Sequence, residues 1–455
     1  MNASVVAAAD PGEGLVDAPR PLSGAYRSYA MGLLLAISTI NYLDRQIVHI
    51  LAEPIKNDLG LADWQLGMLT GLAFGVLYTL FGLPIARLAE RGNRPIIIAT
   101  ATAVWSVFTV LCGTVSNFWQ LALARVGVGI GEAGCTPPAH SLIMDYTPPD
   151  KRGSALAFYG MGAPLGGLLG MAFGGLAADA FGWRAAFLLA GGPGVLFAIL
   201  TFLTLKEPRR KRRRLAGKTA VGETLGAMLR LVSAKRSYWL LGAAITCNVF
   251  IAYGHGPFIA SFYLRNHSAA LAQAASATGA LFGFTLGSVG FLGLALGLLG
   301  GFCGAIGIFI GGRLADRFGP NDPRRYLYLP ALAVFLCVPI FIGAMTAPSI
   351  WVSLALYGLN ALIGFTWYGP AYTAWFSLVP AHMRATNSAV SLFVANLLGL
   401  GLAPLGVGLL SDLYGASMGS GEGIRWALIS LTGVGVLTGL LFWMAAKTFR
   451  TEMEA

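Results

Sequence analysis

Apolar stretches of about 20 residues recur along this chain from end to end, and the charged side chains collect in the short polar segments between them. Twenty helical residues at about 1.5 Å each cross the ~30 Å hydrocarbon core of a bilayer, and lipid leaves no backbone polar group unsatisfied outside helices and closed barrels. Hydropathy predicts spans near 26–52, 64–88, 95–115, 117–145, 153–179 and 184–205, and again near 237–264, 288–313, 325–346, 349–379, 385–411 and 425–447. The uncharged run of 44 residues from Ala269 to Gly312 would measure roughly 66 Å as one helix. That is about twice a bilayer core, so its first third is expected outside the span as a loop or half-helix. The fold class that follows is an all-α polytopic membrane protein with twelve transmembrane helices.

The second six spans echo the first. Arg87-Leu-Ala-Glu90-Arg91 recurs as Arg313-Leu-Ala-Asp316-Arg317, 226 residues later, and Pro148-x-x-x-Arg152 recurs as Pro380-x-x-x-Arg384, 232 later. Gly175-Leu-x-x-Asp179-x-Phe-Gly182 recurs as Gly408-Leu-x-x-Asp412-x-Tyr-Gly415, a shift of 233. Near-constant offsets on corresponding spans predict two pseudo-symmetric halves, 26–205 and 237–447, joined by a basic linker at 206–236 and flanked by tails at 1–25 and 448–455. In repeat-built transporters the substrate site lies at the midplane between the repeats, and access alternates by rocking. The basic residues of 87–94, 151–152, 206–236, 313–325, Arg384 and Lys447/Arg450 all fall on one side, which the positive-inside rule makes cytoplasmic, together with both termini.

Composition removes the soluble alternatives. Hydrophobic residues make up 56% and charged residues only 11%, where soluble domains carry about 25% charge. The net charge of +11 is local, because Lys206 to Arg236 holds eleven Lys or Arg against Glu207 and Glu223. The run Arg209 to Arg214 has a nucleic-acid look, but a cytoplasmic loop against anionic headgroups accounts for it, so membrane lipids and not nucleic acid are the expected partner. Five cysteines all lie in apolar segments and give neither a disulfide framework nor a metal spacing. The first 25 residues lack a basic n-region followed by an apolar core, so they are expected to be a disordered tail and not a signal peptide.

Four charges lie well inside predicted spans, away from their ends: Asp44 and Arg45 in the first, Arg125 and Glu132 in the fourth. A charge near the midplane costs at least ~2.5–3.5 kcal/mol and is by default functional. Arg125 and Glu132 are seven residues apart, two turns, and so share a helix face. Two acids and two bases can balance in one place, with gluing of helices as the plainer alternative. Glu132 is the expected proton carrier and Asp44 the second. Once Glu132 is protonated the set becomes net positive, and Arg45 and Arg125 suit the geometry of a phosphate or carboxylate. His49, one turn beyond Arg45, and His255, inside the seventh span, are candidate relays or plain packing residues. The second half offers Trp367, Tyr368, Tyr372 and Trp375 with Asn387 and Asn396. A charged first half facing an aromatic second half suits an amphiphile. No nucleophile–base pair, metal cluster or nucleotide loop is found, so no enzyme, metal or cofactor is expected; Gly127-x-Gly129-x-Gly131 is no dinucleotide fingerprint, since no strand precedes it.

Gly82-Leu-Pro-Ile-Ala-Arg87-Leu-Ala-Glu90-Arg91-Gly-Asn-Arg94 resembles the loop 2–3 signature of the major facilitator superfamily, and Gly311 to Gly319 resembles its second copy. The resemblance covers essentially the whole chain. It implies a cytoplasmic gate that latches the outward-open state through Arg87, Glu90, Arg91, Arg94, Arg313, Asp316 and Arg317. Arg125 with the Gly-rich stretch after it resembles the fourth-helix motif. Gly160-x-Gly162-Ala163-Pro164-x-Gly166 partly resembles the fifth-helix antiporter motif and departs from it around Ala163.

Asn41-Tyr42-Leu43-Asp44-Arg45 resembles the first-helix signature of two branches, the Spinster lipid transporters and the anion:cation symporters of sugar acids. The Arg91-Gly-Asn-Arg94 ending, the Arg125-to-Ala133 stretch and Phe158-Tyr159 are more similar to Spinster. As a bacterial Spinster homologue in the inner membrane, the chain would carry an amphiphilic anion such as a lysophospholipid, driven by the proton gradient. Asp44 and Glu132 would couple protons, while Tyr42, Arg45, Arg125, Tyr372 and Trp375 would bind substrate. The resemblance implies a monomer. A sugar-acid symporter, a multidrug efflux pump and a non-transporting sensor or scaffold are the alternatives.

Overall fold

The computed structural model describes residues 23–208, 221–283, 285–319, 321–380 and 383–454. Most of the expected N-terminal tail and the basic run Arg209 to Arg214 lie outside the described residues. The chain is helical throughout, in twelve spans. Span 1 is Gly24–Leu59; span 2 is Asp63–Thr70 continued by Leu72–Arg91; span 3 is Arg94–Cys112; span 4 is Phe118–Glu132 continued by Thr136–Tyr146. Spans 5 and 6 follow the short helix Arg152–Gly160 and form one helix, Gly162–Thr204, folded back at Gly182.

In the second half, span 7 is Arg236–Asn266, and span 8 is Ser288–Phe318 with a π-helical turn at Leu299–Cys303. Span 9 is Arg325–Thr346, and span 10 is Ile350–Ser377 with a tight turn at Phe365–Trp367. Span 11 is Arg384–Met418, with Asn396–Leu402 π-helical, and span 12 is Ser420–Thr432 continued by Val434–Glu454. Two further helices lie between spans: Val221–Val232 in the linker and Ser268–Phe282 before span 8. The latter takes up the surplus of the 44-residue uncharged run.

Nine helices among the described residues are long and apolar enough to cross a membrane on length and composition alone. The other three spans are accounted for locally. Span 1 is diluted by Asn41, Asp44, Arg45, Gln46 and His49. Span 4 is broken right after Glu132, where Pro137 and Pro138 open the next helix without N–H donors. Spans 5 and 6 count once because Gly182 turns the chain at φ 84°, ψ 163°, a conformation open essentially to glycine alone. Gly419, between spans 11 and 12, repeats that turn at φ 86°, ψ 158°.

The repeat extends into the packing between halves. On span 2, Gly67 sits against the backbone of Pro404 and Leu405, Gly71 against the carbonyls of Leu400 and Gly401, and Gly75 against Leu400, all on span 11. On span 8, Gly293 sits against the carbonyl of Met171, and Gly297 and Gly301 against Leu168, on span 5. Each pair of corresponding glycines is 226 residues apart, the offset of the gate motif. Small residues let backbones approach in lipid, where there is no water-driven force between helices. The two seams therefore join the halves at the end of the molecule opposite the termini. Every hydrogen bond between the halves among the described residues is also at that end.

Candidate functional site

Span 1 and span 4 bring the four intramembrane charges together. Arg45 Nε donates to Glu132 Oε2 at 2.5 Å, with the Glu132 side chain fully buried and that of Arg45 15% exposed. Asp44 is buried on the neighbouring face of span 1 and accepts a hydrogen bond from Thr109 Oγ1 of span 3 at 2.8 Å. Arg125 is buried near both carboxylates, yet among the described residues it forms an ion pair with neither. Two acids and two guanidinium groups thus share one buried volume with one direct bond between them.

Aromatic rings hold the cations. The guanidinium carbon of Arg45 lies 4.4 Å from the ring centre of Tyr78, 5.1 Å from Phe74 and 5.3 Å from Tyr42. That of Arg125 lies 5.0 Å from Phe74. Buried Phe74 therefore serves both arginines and also stacks on Tyr78 at 5.5 Å. Desolvated cation–π contacts reach about 2 kcal/mol, which helps to keep a poorly paired guanidinium inside lipid. Gly129 makes this possible: it packs on the backbone of Phe74, so spans 2 and 4 approach closely.

Several atoms in this cluster are left over. Asp44 Oδ1, Glu132 Oε1, Arg125 Nε and Asn41 Nδ2 are buried without a hydrogen-bond partner among the described residues. Buried polar groups are normally paired, and an unpaired one costs about 1–3 kcal/mol. Four in one cluster leave bonding capacity unmet at one buried point.

From the second half, Tyr253 of span 7 stands close enough to Arg45 and Tyr42 to interact with them electrostatically, and Tyr368 of span 10 close enough to Tyr42. Tyr372 packs beside Tyr368, with ring centres 4.7 Å apart. Tyr42, Tyr78 and Tyr253 thus stand around Arg45, and Tyr368 and Tyr372 continue the row on the second-half side. Phe74, Tyr78 and Tyr253 were not expected from sequence, because aromatic residues in a membrane helix look the same whether they pack, anchor or bind.

Other expected residues sit elsewhere. Trp375 is buried inside the second half, stacked on Tyr238 at 4.4 Å, and does not reach the charged cluster. His255 stacks on Phe341 at 4.1 Å and contacts Thr432 Oγ1 at 3.1 Å, also within the second half. His49 contacts Gln46 at 3.0 Å and faces Gly256 of span 7, between the cluster and the end opposite the termini.

The gate motifs divide. Arg87, Glu90, Arg313, Asp316 and Arg317 are exposed and, among the described residues, form no ion pair; the last three line an open groove of about 490 Å³. The Arg91 side chain lies outside the described residues. Arg94 departs from its expected company: it is fully buried within the first half and donates to Asp145 at 2.7 Å, to the Ser141 carbonyl at 2.9 Å and to Glu207. It ties span 3 to span 4 and to the start of the linker.

Comparison with known proteins agrees with this architecture. Residues 34–404 match the family described as Major Facilitator Superfamily. The chain is 31% identical over 424 residues to an MFS-type efflux pump of Mycolicibacterium smegmatis, covering 93% of this chain and 94% of the relative. It is 26% identical to protein spinster homolog 1 of Mus musculus, covering 92% and 81%. Among solved structures, a bacterial homolog to the human lysosomal transporter Spinster, in an inward-facing and unoccupied conformation, is similar at a TM-score of 0.83 and 31% identity, covering 95% of this chain and 99% of that one.

Proposed function

Because the chain belongs to the major facilitator superfamily and is Spinster-like within it, we propose that it moves an amphiphilic anion, of the lysophospholipid type, by proton-coupled alternating access. Membership makes it a multi-pass membrane transporter of a small substrate and not an enzyme. The observation that carries the finer reading is the buried, charge-balanced set of Asp44, Arg45, Arg125 and Glu132, which meets the cleft between halves only through Arg45.

Arg45 is bonded to Glu132. A proton on Glu132 removes the counter-charge and leaves Arg45 to an incoming phosphate or carboxylate, which guanidinium binds bidentately. Glu132 Oε1 and Asp44 Oδ1, without hydrogen-bond partners among the described residues, could take protons with no existing bond broken. The tyrosines on the second-half side supply apolar faces for a chain and hydroxyls for the remainder of a headgroup. The positive-inside rule supports cytoplasmic termini, which would put the end of the halves without the two seams on the cytoplasmic side of a bacterial inner membrane.

The M. smegmatis relative, an MFS-type efflux pump, favours a second reading, efflux. One experiment separates the readings: transfer of labelled lysophospholipid, a sugar acid and an amphiphilic dye in proteoliposomes, with and without a proton gradient, beside Glu132→Gln. Gradient-driven lysophospholipid movement that disappears in the variant supports the proposal. Movement of the sugar acid alone transfers it to the organic-anion symporters, and movement of the dye alone to efflux.

A further inference from the structure

One repeated motif takes no part in the site just described. Asp179, near the end of span 5, accepts a hydrogen bond from the backbone N–H of Gly290 at 2.7 Å, in the first turn of span 8. Asp412, near the end of span 11, accepts from the N–H groups of Asp63 and Trp64 at 3.0 and 2.8 Å, in the first turn of span 2. Trp64 and Gly290 are 226 residues apart, so these are the same position in the two halves. The equivalence continues one turn back from each carboxylate. Gly175 faces the carbonyl of Val289, and Gly408 faces that of Asp63, again 226 apart. A Cβ at either glycine would collide with the partner backbone.

The Gly-Leu-x-x-Asp motif is therefore one device used twice. Its glycine lets the first turn of a helix from the other half lie against it, and its aspartate satisfies that turn's free N–H groups and meets the positive end of the helix. Both copies cross from one half to the other, at the end opposite the termini. The first-turn N–H groups have no partner within their own helix, so losing the cap leaves them bare unless water enters the seam.

The two clasps are unequal in their backing. At the span 2/span 11 seam, Arg265 of span 7 donates to both Glu53 and Asp63, at 2.7 Å each, and Ser411 donates to Asp63 at 2.6 Å. Lys56 adds a 2.5 Å bond to the same aspartate. Val289, which stands where Asp63 does in the repeat, carries no charge, so the span 5/span 8 seam has its aspartate alone.

We infer that Asp179 and Asp412 are a matched pair of cross-half helix caps that hold the end opposite the termini shut, with Asp179 the weaker clasp. They are the counterpart, at that end, of the charged gate motifs at the end with the termini. Because each half supplies one cap and receives one, rocking the halves apart breaks both together. The inference does not depend on what is carried.

The test is amide hydrogen exchange of the full chain in lipid nanodiscs, comparing wild type with Asp179→Asn and Asp412→Asn. Asp58→Asn serves as control, since it removes the 2.5 Å pair with Arg184 at the same end but inside the first half. Asparagine keeps an acceptor oxygen but loses the charge at the positive helix end, which in a partly buried site changes an equilibrium by about a decade. Asp179→Asn is therefore expected to speed exchange about tenfold at 288–293 and also at 63–70 across the molecule, because both seams open together. Exchange at the facing ends of spans 2 and 11, near Arg87 and Arg384, should slow as that end closes. Asp412→Asn should act in the same sense but less, and Asp58→Asn should change neither seam. Faster exchange confined to 288–293 would mean simple fraying of one helix end and would overturn the inference, as would unchanged exchange at both seams.

Discussion

Glu132 Oε2 lies 2.5 Å from Arg45 Nε, and this single bond is the direct tie between the carboxylate of span 4 and the cation that faces the cleft. Replacing Glu132 by Gln keeps the shape and removes the proton site. Proton-driven transport should fall to the background of empty liposomes, while counterflow of the same ligand persists and loses its pH dependence. Initial rates at a series of pH values decide this; full pH-dependent uptake in Glu132→Gln would remove Glu132 from coupling.

Arg125 is held by Phe74 and by proximity to two carboxylates, without an ion pair of its own. Arg125→Ala leaves Asp44 and Glu132 with one guanidinium between them. Affinity for an anionic amphiphile should drop at least tenfold, whereas an uncharged analogue of equal chain length should bind as before. Binding calorimetry with the two ligands reads the difference, and equal losses would count against an anion clamp.

The ring of Phe74 has a measurable part in both cation sites. Phe74→Leu keeps most of the buried volume but removes two cation–π contacts, each worth roughly 0.5–2 kcal/mol. About tenfold weaker anion binding with a displaced pH profile is expected, and Phe74→Tyr should restore both. A wild-type pH profile in the leucine variant would show that the ring only fills space.

The buried arginine at the start of span 3 is structural. Arg94→Ala removes the bonds that Arg94 gives to Glu207, whose side chain is 7% exposed, and to the more open Asp145. Breaking a buried pair in this way costs about 3–5 kcal/mol. The expected signature is a lower melting temperature in detergent with the coupling ratio intact. Arg87→Ala, at an exposed site, should leave melting unchanged and act on turnover instead.

Gly67 leaves no room for a side chain, since a Cβ there would overlap the carbonyl of Pro404. Gly67→Leu should prevent the seam from closing. Turnover would fall more than tenfold while ligand still binds from the open side, and Gly67→Ala should lie between. Turnover numbers at saturating ligand are the measurement, and undiminished turnover in Gly67→Leu would mean that the seam never closes during transport.

Much of this architecture could be read from the chain. The lipid-spanning segments, the two halves and the four charges of the cluster follow from hydropathy, offset repeats and the cost of charge in a bilayer. Phe74, Tyr78 and Tyr253 could not be picked out, since an aromatic ring carries no mark of what lies over it. The same holds for Trp375, whose ring stacks on Tyr238 inside the second half. Glu53, Asp63 and Arg265 lie at span ends, where charge is ordinary, so their convergence needed three dimensions. Asp179 and Asp412 were visible as a repeat, but what they touch lies over a hundred residues away in the chain.

The seams of glycine against backbone have an evolutionary consequence. Contacts made by main chain depend little on the side chains around them, whereas the cleft wall is made of tyrosine side chains from spans 1, 2, 7 and 10. If those tyrosines bind the cargo as proposed, motion and cargo preference are written in different positions of the sequence and can drift independently. Substitutions at Tyr253, Tyr368 or Tyr372 can retune what is carried without disturbing how the halves move. A library built to change cargo should vary those tyrosines and leave Gly67, Gly71, Gly293 and Gly297 untouched.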